Sequence, residues 1–129
     1  MPTFKDLWIW QESHQLMIKI HEFTDQLPVE ERYRKKDQIE RSSSSVPDNI
    51  AEGYAAYYYN DKIKSLYVAR KEVAETINHL EALVGKKYLK RDAADIWVKG
   101  YERVFAGING LIAYFRRKNK IESYRPSRP

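Results

Sequence analysis

The chain has 129 residues, a formal net charge of +5 and no cysteine. That length fits one domain with a real hydrophobic core, and the missing cysteine excludes a disulfide framework and a thiolate metal site. Met1 to Phe115 carries 17 basic and 17 acidic residues, whereas Arg116 to Pro129 carries six basic residues and a single acidic one, Glu122, so the whole excess lies at the C-terminal end.

The opening MPTFKDLWIW lacks the charged-then-apolar layout of a signal peptide. The longest nearly apolar stretch, Val104 to Phe115, falls short of the ~20 residues a membrane span needs. A soluble cytoplasmic protein with no membrane partner is the expectation.

A first helix is expected from about Asp6 to Leu27, with Thr3 or Asp6 capping its start and Pro28 stopping it. Leu7, Trp10, Met17, Ile20, Phe23 and Leu27 give its inner face. Trp8, Ile9 and Leu16 spread beyond that stripe, which requires burial on more than one side. Trp8 is therefore a candidate subunit-interface residue, against the alternative of a partly exposed aromatic.

Val29 to Lys36 reads as a connector carrying Arg32, Arg34, Lys35 and Lys36. A second helix follows over about Lys36 to Tyr58, built on SSSSVPDNIAEG. Ile39, Ser43, Val46, Ile50, Gly53 and Tyr57 recur at steps of four, three, four, three and four, which makes one seam. Arg41, Ser45, Asn49 and Glu52 form a polar row on the same helix. Pro47 removes a backbone bond and costs roughly 3 kcal/mol inside a helix. The unbroken seam favours a kinked helix, eased by the serine hydroxyls, over a new helix starting at Pro47. Tyr54, Tyr57, Tyr58 and Tyr59 cluster at its end. Tyrosine suits interfaces that are half apolar and half wet, so Tyr54, Tyr57 and Tyr58 join Trp8 as interface candidates ahead of a base-stacking role.

Asn60 and Asp61 are placed to cap a third helix running to about Val84, with Gly85 as its C-terminal cap. Ile63, Leu66, Ala69 or Arg70, Val73, Ile77, Leu80 and Val84 mark its inner face. KKYLKR then supplies Lys86, Lys87, Lys90 and Arg91. Asp92 is placed to cap a fourth helix to about Asn119, whose seam is Trp97, Tyr101, Val104, Ile108, Leu111 and Phe115. Gly100, Gly107 and Gly110 interrupt it at roughly 0.5–1 kcal/mol each, so another backbone should approach there.

The expected fold is all-α, an up-down-up-down left-handed four-helix bundle over residues 1–118, with a kinked second helix. Residues 119–129 read as a basic, disordered tail. The first and third connectors then share one end, and the tail shares the other with the turn between helices 2 and 3.

No Glu-x-x-His pair, phosphate loop or nucleophile elbow occurs, and His14, His21 and His79 are scattered. No metal, no cofactor, no small-molecule substrate and no catalytic residue is expected. The polar row Arg41, Ser45, Asn49 and Glu52, joined by Glu75, reads as a structural network fixing register or subunit packing. The alternative is a binding or catalytic constellation. Pairing with arginine pulls a carboxylate away from neutral-pH acid–base work, which favours the structural reading.

FKDLWIWQESHQL, QIERSSSSVPDNIAEG and LYVARKEVAE resemble the bacterial four-helix-bundle proteins encoded in intervening sequences of 23S ribosomal RNA genes. The likeness spans about Phe4 to Arg117, and Arg41, Ser45, Pro47, Asn49, Ile50, Ala51, Glu52 and Gly53 match the central motif. Lys71 and Glu72 stand where that family commonly has glycine and serine. The resemblance implies a left-handed bundle, a homopentameric ring and kinship with the accessory variability proteins of diversity-generating retroelements, which bind reverse transcriptase and nucleic acid. It implies no enzymatic activity.

The functional expectation is a non-enzymatic oligomer binding RNA or a ribonucleoprotein. The contacts would come from Arg32, Arg34, Lys35, Lys36, Lys86, Lys87, Lys90, Arg91, Arg116 and Arg117. The alternative is a protein-interaction scaffold whose charges serve solubility, with an enzyme third.

Overall fold

The structure, a computed structural model, describes residues 2–123. Four helices account for most of them: α1 (Trp8–Thr24), α2 (Asp37–Ala55), α3 (Tyr59–Gly85) and α4 (Arg91–Ser123). The chain is all-helical among the described residues, and no helix there is long and apolar enough to cross a membrane.

Before α1, Phe4–Asp6 forms a single tight turn. Thr3 caps it reciprocally: its hydroxyl accepts from the Lys5 N–H, and the Asp6 carboxylate accepts from the Thr3 N–H at 2.7 Å. Thr3 thus caps this turn, and α1 starts two residues later than Asp6.

The buried face of α1 is Ile9, Ser13, Leu16, Ile20 and Thr24. This corrects the expected stripe, because Ile9 and Leu16 are core while Leu7, Trp10, Phe23 and Leu27 pack at its margin. A helix apolar over most of its circumference does not reveal by spacing which arc turns inward.

α2 runs through Pro47 as one helix, which removes the reading in which Pro47 begins a new one. Ile39, Ser43, Val46, Ile50 and Gly53 are all buried, so the seam holds to Gly53. Tyr57 lies beyond the helix end and is 86% exposed, so it is not a seam residue. The Ser42 and Ser43 hydroxyls donate to the Ile39 and Glu40 carbonyls, and Thr76 bridges from α3 to Ser42 at 2.9 Å. Hydroxyls consumed this way need no water inside the core.

Two glycines explain how closely the helices meet. A Cβ on Gly53 would lie 3.0 Å from the Lys62 carbonyl oxygen, and one on Gly107 would lie 2.7 Å from Trp8 Cζ2. Gly100 likewise faces Leu16, but Gly110 has nothing within 4 Å. The nearest atoms at Gly100 and Gly107 belong to side chains of α1 that pack into the space, not to the expected backbone.

In three pairs of helices, α1 with α4, α2 with α3 and α3 with α4, the contacts run in opposite order. Ile9 meets Gly107 while Leu16 meets Gly100; Arg41 meets Glu75 while Gly53 meets Lys62; Glu81 meets Arg91 while Tyr59 meets Glu122. Tyr101, Val104, Ile108 and Phe115 of α4 close the core.

The helix ends differ from expectation. Tyr58 precedes α3 without a side-chain cap, so Asn60 and Asp61 lie inside its first turn. At the other end Gly85 is still helical, and Lys87 takes the left-handed conformation with φ 66°. The Lys87 and Tyr88 N–H groups bond the Val84 and Leu83 carbonyls, which closes the helix as a glycine there would. Asp92 sits within the first turn of α4, and α4 continues to Ser123, past Asn119. Residues 124–129 of the expected tail lie outside the described residues.

Candidate functional site

The first and third connectors meet at one end of the molecule. Val29–Glu31 is a tight turn, and Arg32–Lys36 follows with a break at Arg34 (φ −118°, ψ −110°) that redirects the chain into α2. Lys86 from the other connector reaches the buried Glu31 carboxylate at 2.6 Å. The Lys86 hydrogen bond outweighs burial and holds the Glu31 carboxyl below its ordinary range, with Arg34 adding to the effect.

The eight connector cations divide by their partners. Arg91 forks onto Glu81 at 2.7 and 2.9 Å and also reaches Asp95. Lys36 pairs with Asp25 at 3.3 Å, Lys86 pairs with Glu31, and Lys35 reaches His79. Arg32, Arg34, Lys87 and Lys90 are exposed and, among the described residues, have no carboxylate within ion-pair distance. Four of the eight are thus engaged in holding the fold, and four face solvent uncompensated.

Arg116 and Arg117 are exposed near the opposite end, where Tyr59 donates to Glu122 at 2.8 Å and Asn119 reaches Asn60. Arg116 also lies 5.4 Å from the Tyr67 ring centroid, so part of its surface covers an aromatic face. Tyr57 and Tyr58 pack edge to face, are mostly exposed and rim a recess with Tyr59, Lys62 and Asn119. Tyr54 is half-buried, and its carbonyl accepts from Lys62 at 2.7 Å.

The expected polar row is only partly assembled. Arg41 reaches Glu75 at 3.3 Å, and the Asn49 amide donates to Ser45 within α2 at 2.9 Å. Glu52 is exposed and lies outside this set. The row is two separate local contacts, because Asn49 finds its acceptor one turn back along its own helix.

α3 contributes a deeper cluster that the polar row did not anticipate. Glu72 is 6% exposed, and its Oε2 has no hydrogen-bond partner among the described residues. Burial first, then the Glu75 hydrogen bond and charge, push the Glu72 carboxyl above its ordinary range. Glu75 moves down: burial opposes this, but its interaction with the protonated Glu72 and the Arg41 charge prevail. Burial and the Lys35 charge hold His79 below its ordinary value, hence neutral. Lys35 Nζ lies 3.2 Å from His79 Nδ1, so Nδ1 accepts and Nε2 carries the proton, 3.8 Å from Glu75 Oε1.

A signal for this cluster existed. Ala69, Glu72, Thr76, His79 and Leu83 recur at steps of three, four, three and four, and all are buried. Nothing in the spacing linked Lys35 to His79, 44 residues away. Among the described residues no group of three His, Cys, Asp or Glu is placed to hold a metal ion.

Two apolar recesses flank α1. One, of about 230 Å³, lies between the start of α1 and α4 and includes Trp8, Gly107, Gly110 and Tyr114. Trp8 is 51% exposed there. The other, of about 490 Å³, lies between the second half of α1 and the start of α4, walled by Phe23, Tyr88 and Trp97.

Comparison with known proteins identifies a family and a solved structure of similar fold. A family model described as 23S rRNA-intervening sequence protein matches residues 5–110. A crystal structure of a protein of unknown function from the S23 ribosomal protein family of Bacteroides thetaiotaomicron is similar, with a TM-score of 0.75 and 25% sequence identity. That likeness covers 81% of this chain and 95% of the other. No curated protein matches.

Proposed function

We propose that this chain, which belongs to the 23S rRNA-intervening sequence protein family, is a non-enzymatic helical bundle that assembles with copies of itself and binds RNA or a ribonucleoprotein. In this reading the four helices alternate in direction as a left-handed up-down-up-down bundle, bent at Pro47, and the protein works in the cytoplasm. The observation that carries the RNA reading is the set of four uncompensated cations, Arg32, Arg34, Lys87 and Lys90. They stand on two connectors joined by the Lys86–Glu31 ion pair. Free cations at one pole attract phosphate by counterion release, without regard to sequence.

Self-assembly is supported by the α1–α4 recess. Trp8 is half exposed and shares the recess with Gly110, a mid-helix glycine where an added Cβ would meet nothing within 4 Å. A neighbouring copy covering this recess would account for both, and the family resemblance makes a pentamer the expected ring.

The test is RNA retention measured across salt. Four phosphate contacts to a single strand give a log–log slope of about −3. Replacing Arg32, Arg34, Lys87 and Lys90 by glutamine should abolish retention, and binding unchanged from low to high salt would refute the reading. A protein-scaffold reading has its own support in Tyr57 and Tyr58, 86% and 67% exposed. Under it the same four substitutions leave partner capture intact.

A further inference from the structure

We propose that the cleft between the second half of α1 and the start of α4 is a nucleobase pocket. It takes one unpaired base of a single-stranded RNA against Trp97, with the flanking phosphates on Lys19 and Lys90. This rests on the RNA reading above and assigns it a specific site.

The cleft is an open recess of about 490 Å³, within the range of roughly 300–1,000 Å³ typical of small-ligand sites. Phe23 and Trp97 meet edge to face at 5.9 Å, and each is partly buried against the core while its remaining surface lines the cleft. Tyr88 closes the connector side and is 39% exposed. An aromatic surface of this kind accepts any base, because every base offers a π-face.

Charge complements the aromatic surface. Lys19 comes from the α1 wall and Lys90 from the connector wall. Both are exposed and, among the described residues, have no carboxylate within ion-pair distance. Tyr88 and Lys90 continue directly from Lys87, so the cleft is contiguous with the uncompensated pole. Glu22 also lines it and repels phosphate, which leaves that carboxylate to accept from a base N–H. A duplex offers no such base, since its bases are stacked and paired.

The experiment uses the full chain carrying Trp8→Phe and Trp10→Phe, which leaves Trp97 the single indole. A short mixed-sequence RNA is titrated in, once as a single strand and once as its duplex. Saturable quenching by the single strand and none by the duplex is expected. Trp97→Leu and the surface variant Tyr88→Ala should each weaken single-strand binding by about 5- to 100-fold, with helicity by circular dichroism confirming the fold. Lys19→Gln and Lys90→Gln should each flatten the salt slope by about 0.7.

RNA binding that survives Trp97→Leu, Tyr88→Ala and Lys19→Gln unchanged, while Lys90→Gln still flattens the salt slope, overturns the pocket and leaves the pole reading standing. Binding to no RNA overturns both. Equal quenching by the duplex, or saturation by an acidic peptide and not by RNA, also overturns the pocket.

Discussion

Lys86 Nζ lies 2.6 Å from the Oε2 of buried Glu31, and this single ion pair fastens the α3–α4 connector to the α1–α2 connector. Because Lys86 holds the Glu31 carboxyl below its ordinary value of 4.5, the folded state binds fewer protons than the unfolded chain in that region. The stabilisation is therefore complete above about pH 4.5 and is lost as pH falls through the lowered value. Lys86→Gln should lower the melting temperature at neutral pH and flatten the acid limb. Thermal melts at stepped pH check this, and parallel acid limbs for the two proteins would contradict it.

Gly107 and Gly110 sit one turn apart on α4 and should answer alanine in opposite ways. At Gly107 the new methyl meets Ile9 and Trp8, so Gly107→Ala should destabilise by about 1–3 kcal/mol. At Gly110 it meets nothing, so Gly110→Ala should stabilise an isolated chain by about 0.5–1 kcal/mol through helix propensity alone. If a second copy covers the α1–α4 recess, Gly110→Ala should instead weaken assembly. Denaturant unfolding and sedimentation of the same variant separate the two effects.

What the sequence revealed follows from how one-sided each helix is. The α2 seam and the α4 seam were legible because Ile39, Val46, Ile50, Val104 and Ile108 face polar residues across their helices. On α1 the apolar residues surround the axis, so spacing places Ile20 in the core but does not separate Ile9 and Leu16, which are core, from Leu7, Trp10, Phe23 and Leu27 at its margin. Gly85 is the reasonable cap by propensity, yet the left-handed position falls two residues later on Lys87, where the Lys87 and Tyr88 N–H groups bond the Val84 and Leu83 carbonyls. Of the candidate site, the connector charges were visible, but which of them are neutralised depends on pairs such as Lys86 with Glu31 and Lys35 with His79, distant in sequence. Glu52 shares a helix face with Arg41 in projection, but Arg41 turns to Glu75 on α3.

Lys87 combines a strained backbone with an uncompensated charge, so one substitution separates stability from binding. A left-handed φ of 66° costs a non-glycine residue about 1 kcal/mol. Lys87→Gly should therefore raise unfolding stability by about that amount. The same change removes one phosphate contact and should reduce the magnitude of the RNA salt slope by about 0.7. A variant that is more stable and binds RNA with an unaltered slope would remove Lys87 from the interface.

Glu72 and His79 should give the bundle opposing pH dependences. The Glu72 carboxyl is pushed above 4.5, so the folded state holds more protons than the unfolded chain just above that value. Its contribution to stability is full below about pH 4.5 and is lost as pH rises through the raised value. His79 is held below 6.5, so acidification from about that pH draws protons to the unfolded chain and lowers stability. Around this pair stand Arg41 and Ser42 of α2, Lys35 of the connector, and Glu75 and Thr76 of α3. Glu72→Gln copies the protonated carboxyl in shape and cannot ionise. It should match the wild type near pH 4.5, exceed it at neutral pH, and retain only the acid loss that belongs to His79. A Glu72→Gln protein less stable than wild type at neutral pH would mean that Glu72 is ionised and paired, in conflict with its orphaned oxygen between α2 and α3.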